Sequence, residues 1–448
     1  MNVSGRSGPL AVRSFRLLAG GQFASTIGDY CYAVALPWLV LTAHGGVILL
    51  GTVLACYGVP RTVLIPVGGV LADKLGPRTL MLAADAVRCV VVAALAVLAA
   101  RHVTSLAALG PIAVFIGAGE GLFIPASFAI MPSLLDGERL TAGNALSTAA
   151  VRAGSLLGPA LGGALVAATR ASTAAFAVDA ASFGISALTL LLIPRRPAAG
   201  SVTAAATEAA AGTTESAQPG GVLALLRRSR TFQVIVVVVI AANLANGGMG
   251  EVALPALAHA THGAAGYGAL LACLALGGIA GTLAAARAGG LRAPAMFASA
   301  VFLAESVAIA LVPYLGGEPG AAAMLCLSGV CNGLGNVIFL TVMQKWVAPG
   351  QLGRVMGVLM LCAFGTFPLS VAVSGVLVRH LGPVPFFPLA GALVAVAMLF
   401  GLTQREFRTF GGLGDAVPQA AAKAADDLKA ADDLKAADDL KAAEGSRK

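Results

Sequence analysis

About twelve stretches of roughly 20 mostly apolar residues, separated by short polar breaks, run along this chain. With 58% hydrophobic and only 11% charged residues, and a mean hydropathy of +0.87, one water-solvated core cannot bury so much apolar surface. The surplus must face lipid. The stretches fall at 17–42, 47–71, 80–100, 106–128, 142–167, 173–193, 231–256, 266–286, 294–312, 321–344, 354–377 and 385–403. They are continuous and rich in Leu, Ala and Val, whereas strands of a membrane barrel would alternate with period two over about ten residues. An all-α membrane protein with twelve transmembrane helices in two six-helix, pseudo-symmetric bundles is the expected fold class. The first stretch is too long for a secretory signal, carries Asp29 and leads straight into further spans, so no cleavage is expected.

The net charge of +8 would suggest nucleic acid in a soluble protein, but here the basic residues sort by loop. One set of loops carries Arg6, Arg13, Arg16, Lys74, Arg78, Arg139, Arg195, Arg196, Arg227, Arg228, Arg230, Arg287, Arg292, Lys345, Arg354, Arg405 and Arg408; the other carries only Arg101, Arg170 and Arg379. Under the positive-inside rule, an even number of spans with this asymmetry puts both termini in the cytoplasm. All seven cysteines fall inside spans with no CxxC spacing, which suggests neither disulfides nor zinc. The five histidines are expected in loops on the outer side; His259 and His262 have a ligand-like spacing but no third partner, and no metal site is expected.

Four segments follow: an N-terminal six-helix bundle over 1–196, a flexible cytoplasmic linker over 197–229, a C-terminal six-helix bundle over 230–408, and a cytoplasmic low-complexity tail over 409–448. Placing Gly281 on Gly69 also brings Gly329 onto Gly117, Gly333 onto Gly121 and Gly375 onto Gly163, as an internal repeat would. The tail repeats KAADDL from Lys423, Lys429 and Lys435; a six-residue period rotates successive leucines by roughly 120° around a helix, so they form no single stripe and a coiled coil is disfavoured.

Between spans two and three, GGVLADKLGPRTLML at 68–82 places Gly69, Leu71, Ala72, Asp73, Lys74, Gly76 and Arg78 in the pattern G-x-L-A-D-R/K-x-G-R-R/K, with Pro77 the departure. In residues and location this resembles the signature loop of the major facilitator superfamily. The resemblance implies a cytoplasmic latch that closes against the start of span eleven near Arg354. Asp73 can cap or face the positive N-terminus of a neighbouring helix. Asp85 and Arg88 read as support for the latch. Span five carries Gly154, Gly158, Pro159, Gly162 and Gly163 in G-x-x-x-G-P-x-x-G-G, a pattern that in the superfamily resembles exporters, and whose small residues permit close helix crossing. The wording at 22–40, 123–147 and 344–358 narrows the resemblance to the bacterial exporter branch of enterobactin-type siderophore exporters and macrolide efflux pumps, over nearly the whole chain to about residue 405.

Ionisable groups inside spans are costly and functional by default. At 1.5 Å of rise per residue, Asp29 lies roughly 20 Å from Arg16 and Arg61 roughly 18 Å from Asp73, so both fall near the midplane; Glu120 and Arg152 share a depth. Since spans one, two, four and five surround the central cavity in the family, the expected pairs are Asp29 with Arg61 and Glu120 with Arg152. Either these pairs statically neutralise one another, or a carboxylate beside an Arg exchanges its proton for substrate. Glu251 reads as cavity-lining near the outer side, and the repeat places neutral residues opposite all four charges. Proton-coupled drug antiporters usually carry an Arg upstream of the glycine cluster in span four, and GAGEG at 117–121 has Glu120 instead.

The expected function is secondary active transport by alternating access: proton-coupled efflux of a small amphipathic molecule such as an antibiotic, siderophore or other secondary metabolite. A lipid-handling or uptake carrier on the same scaffold, and a transport-inactive membrane sensor, remain as alternatives. An enzyme is not expected, since no histidine lies in a span and neither a Ser/His/Asp order nor a nucleotide loop is present. No cofactor is expected. The expected partners are the substrate, protons and the lipid bilayer, without nucleic acid, for a monomer in the bacterial inner membrane.

Overall fold

A computed structural model describes residues 8–42, 46–135, 137–194, 230–287, 293–347, 352–404 and 407–408. The linker at 197–229 and the tail at 409–448 lie outside the described residues. Twelve helices are long and apolar enough to cross a membrane: Arg13–Thr42, Gly46–Leu75, Pro77–Ala100, Leu106–Leu134, Ala142–Thr169, Thr173–Leu192, Arg230–Thr261, Gly263–Ala285, Pro294–Leu311, Gly317–Met343, Val355–Leu381 and Pro383–Thr403. They are spans one to twelve below. Several run past the apolar stretch that marks them, because helical hydrogen bonding continues through polar residues until a turn residue stops it. Span two extends to Leu75 and is stopped by Gly76, whose φ of +83° suits glycine; Pro77 then opens span three, where the missing N–H would be unpaired anyway. Val63, Val90, Phe128, Leu361 and Val396 are among the exposed large apolar side chains, as a lipid-facing surface requires.

Within each half the corresponding spans cross alike. A Cβ on Gly121 of span four would stand 3.1 Å from the Arg61 Cα of span two, and Gly117 of span four meets the Tyr57 backbone. Gly329 and Gly333 of span ten approach the backbone of span eight in the same way, with Gly278 as their shared neighbour. These are the glycines that the internal repeat aligns, and they serve one purpose: bringing two backbones together where any side chain would hold them apart.

Two spans are broken. Span seven passes through a π-helical segment at Met249–Ala253 before finishing as Leu254–Thr261. Span eleven divides into Leu352–Gly365 and Phe367–Leu381. Pro368 has no N–H for the Phe364 carbonyl one turn earlier, and the Thr62 hydroxyl of span two donates to that carbonyl at 3.0 Å from the other half of the molecule. The proline break thus supplies a bond between halves.

The contacts joining the halves gather towards the end marked by Thr42 and Gly46 and by the turns at 169–173, 261–263 and 381–383. There a Cβ on Gly163 of span five would lie 2.7 Å from the Ala264 carbonyl oxygen and 3.0 Å from the Gly268 Cα of span eight. A Cβ on Gly51 of span two would lie 2.6 Å from the Val371 carbonyl oxygen of span eleven. Trp38 of span one packs on His259 of span seven with ring centroids 5.0 Å apart. Span four packs on spans one, two, three and five, and span ten on eight and nine, each within its own half.

Candidate functional site

Tyr57 and Arg61 are one helical turn apart on span two, so they share a face. Glu120 of span four lies between Gly117 and Gly121, the two glycines that bring its backbone against this stretch of span two. The outcome is an ion pair: Arg61 Nη2 stands 3.0 Å from Glu120 Oε1, and the Tyr57 hydroxyl donates to Glu120 Oε2. The Arg61 guanidinium also lies over two rings, 4.9 Å from the centre of Phe364 in span eleven and 5.7 Å from that of Tyr57. Arg61 and Glu120 retain 19% and 26% side-chain exposure, so the pair is half-buried and open on one side. Arg61 Nε is buried with no hydrogen-bond partner.

The pairing expected from depth alone is corrected here. Arg61 pairs with Glu120 rather than Asp29, and Arg152 is exposed on span five with no ion pair among the described residues. Depth fixes height along a span and leaves azimuth free; the glycines decide which faces meet. Asp29 is exposed at mid-span, in the electrostatic field of Arg88, Glu120, Asp85 and Arg61. Glu251 lies on the π segment of span seven and feels Arg61 first and then Glu120. It therefore belongs to the same electrostatic cluster, reaching it from the opposite half. Tyr57 and Phe364 escaped the sequence reading, although the Tyr57/Arg61 spacing was a usable signal.

Asp85 and Arg88 also depart from expectation. They lie roughly 13 Å and more along span three from Gly76, too deep to support the 68–82 loop. They form a buried ion pair one turn apart, with Ser186 of span six donating to Asp85 Oδ2 at 2.6 Å. The Arg88 guanidinium is held between Phe183 of span six, 4.3 Å away, and Phe123 of span four, 4.6 Å away. They brace span three against its neighbours. In the loop itself, Arg78 donates from Nε to the Leu190 carbonyl at 2.8 Å and from Nη2 to that of Leu191 at 3.0 Å, capping the end of span six. Asp73 and Lys74 are exposed, and Asp73 does not cap span three, whose N-cap is Gly76. Gly69 has open space around it.

The span-five glycines serve two interfaces. Gly154 and Gly162 face span one, where an added Cβ would stand 2.7 Å from Thr26 Cγ2 and 2.8 Å from the Cys31 Cα; Gly158, between them, faces Tyr30 and Ile27. Gly163 and the Pro159 carbonyl instead face Gly268 of span eight, across the halves. Asp179 of span six, 1% exposed, lies against Gly28 with Oδ1 unpartnered. Among the described residues no group of three or more His, Cys, Asp or Glu could hold a metal ion. His259 and His380 lie in helices rather than in loops, because spans seven and eleven run on past their apolar stretches.

Residues 18–364 match the sequence profile of the Major Facilitator Superfamily. The chain is similar to the "Multidrug efflux pump Tap" of Mycolicibacterium fortuitum, at 26% identity over 84% of this chain and 91% of that protein. It is similar also to the "Enterobactin exporter EntS" of Salmonella paratyphi A (strain ATCC 9150 / SARB42), at 25% identity over 89% of this chain and 94% of that one. A solved POT family transporter, in complex with thioalcohol conjugated peptide, shares the fold with a TM-score of 0.69 at 15% identity, over 87% of this chain and 96% of the other.

Proposed function

Because this chain belongs to the major facilitator superfamily and is a membrane-embedded transporter of a small molecule, we propose that it exports a small amphipathic compound in exchange for protons. The observation that carries this reading is the Arg61–Glu120 pair, partly exposed at mid-span, with Tyr57 on its second oxygen and Glu251 of the opposite half in its field. An ion pair at the place where two halves face each other is a switchable charge. A proton on Glu120 releases Arg61, and substrate binding in the vacated site favours the proton's return to water. Phe364 and Tyr57 offer the apolar and aromatic surface that an amphipathic ligand needs, while the charges orient it.

The contacts between halves gather at the end away from the 68–82 loop. With both termini in the cytoplasm, as the loop charges favour, this is the inward-facing member of an alternating-access pair, and Asp73 is exposed in it with no ion pair among the described residues. Similarity to named efflux proteins supports the outward direction. The working form is a monomer, since the cluster is complete within one chain.

The test is transport by the full-length protein in inverted vesicles, using a panel of cationic, neutral and acidic antibiotics and a catecholate siderophore. Accumulation of one of them should require an imposed pH gradient and be lost in Glu120→Gln. Transport indifferent to the gradient and unchanged in Glu120→Gln overturns the proton coupling, and accumulation only in right-side-out vesicles overturns the direction.

A further inference from the structure

Glu305 of span nine is 2% exposed. Its Oε1 accepts a hydrogen bond from Asn332 Nδ2 of span ten at 3.0 Å, and Asn246 of span seven adds a second amide contact. One turn further along span ten, exposed Asn336 donates to both the backbone oxygen and the side-chain oxygen of Asn332, each at 3.0 Å. A string of amides thus runs from an exposed group to a buried carboxyl.

Two other internal carboxyls differ in one respect: Asp85 has Arg88 and Glu120 has Arg61, whereas buried Asp179, like Glu305, has no ion pair among the described residues. Spans ten and twelve pack on span nine, and the titratable group turned towards Glu305 is the Cys331 thiol. Among the described residues no Arg, Lys or His pairs with it. A carboxylate inside a span with no cation is costly, and a bound proton removes that charge without any further partner. The surrounding amides fit both states. Their N–H groups donate to the carboxylate, and their carbonyls can accept from the acid O–H.

We propose that Glu305 is a proton-binding site of the C-terminal half, loaded and unloaded through the Asn332–Asn336 string. On loading, a hydronium that passes along Asn336 and Asn332 gives its proton directly to a Glu305 carboxylate oxygen and leaves as water, the amides lining the way and keeping their own protons; unloading is the reverse. Asn246 immediately precedes Gly247 and Gly248, where span seven enters the π segment that carries Glu251. The charge on Glu305 therefore bears on the span that presents Glu251 to the Arg61–Glu120 pair.

The experiment is acid-minus-alkaline infrared difference spectroscopy of the full-length protein in liposomes, which needs no substrate and is independent of what is exported. A carboxylic C=O component should vanish in Glu305→Gln, shift in frequency in Asn332→Ala, and appear more slowly after a pH jump in Asn336→Leu. If Glu305→Gln does not fold, the Asn332→Ala shift decides. A wild-type spectrum retained in Glu305→Gln, or an unshifted band in Asn332→Ala, overturns the proposal. So does a band that sodium chloride suppresses and choline chloride does not, which would make the ligand a metal cation.

Discussion

Arg61 of span two and Glu120 of span four stand 3.0 Å apart as an ion pair, with Tyr57 donating to the second carboxylate oxygen. Removing one partner leaves the other half-buried and uncompensated. Glu120→Gln or Arg61→Gln should therefore lower stability by about 1–3 kcal/mol. The double variant Arg61→Met/Glu120→Met should recover most of that loss, because no lone charge remains. Transport should be lost in all three. Thermal unfolding in detergent gives the stabilities, and a double variant as unstable as the sum of the singles would show that the two residues act apart.

Asp85 and Arg88 should respond more strongly, since their side chains are 0% and 4% exposed and the guanidinium is closed in by Phe123 and Phe183. Arg88→Met leaves Asp85 in the interior with only Ser186, at an expected cost of about 3–5 kcal/mol. A melting temperature no lower than that of Glu120→Gln would contradict the bracing role.

The two faces of span five make a prediction that separates folding from cycling. Gly158 meets span one within its own half, so Gly158→Val should impair folding, seen as low yield and aggregation on size exclusion. Gly163 meets Ala264 and Gly268 across the halves, so Gly163→Val should fold and force the closed end apart. Thiol labelling of a cysteine at Ala264 should rise at least about tenfold in that variant, the response to about 1.4 kcal/mol of shift. Unchanged labelling would place the Gly163 contact outside the gate.

Hydropathy made the twelve spans legible because the cost of exposing a backbone to lipid is paid by every residue, and so leaves a signal in every stretch. The glycines of span five were legible too, since close approach needs a particular residue. The pairing of charges was not: Asp29, Arg61, Glu120 and Arg152 have recognisable depths, but azimuth depends on which backbones touch. Gly117 and Gly121, on either side of Glu120, held that information. The π segment at Met249–Ala253, which carries Glu251, has no period of its own in the sequence. The setting of Glu305 was not legible either, because its partners are Asn246 and Asn332, neutral residues that a search for counter-charges passes over.

The 68–82 loop should divide into a static part and a conditional part. Arg78 is tied to the Leu190 and Leu191 carbonyls, so Arg78→Ala leaves the end of span six uncapped and should cost about 1.5–3 kcal/mol, the range for hydrogen bonds to a charged group. Asp73 is exposed, and no side-chain partner of it is described. Asp73→Asn should then change stability by no more than about 0.5 kcal/mol, as surface substitutions do. If Asp73 latches the halves in the other conformation, the same substitution should still reduce transport at least about tenfold, by removing roughly 1.4 kcal/mol from a state that this structure does not occupy. Measuring melting temperature and vesicle transport on the same two variants distinguishes the roles. A normal transport rate in Asp73→Asn would show that the loop acts only as a structural corner between spans two, three and six.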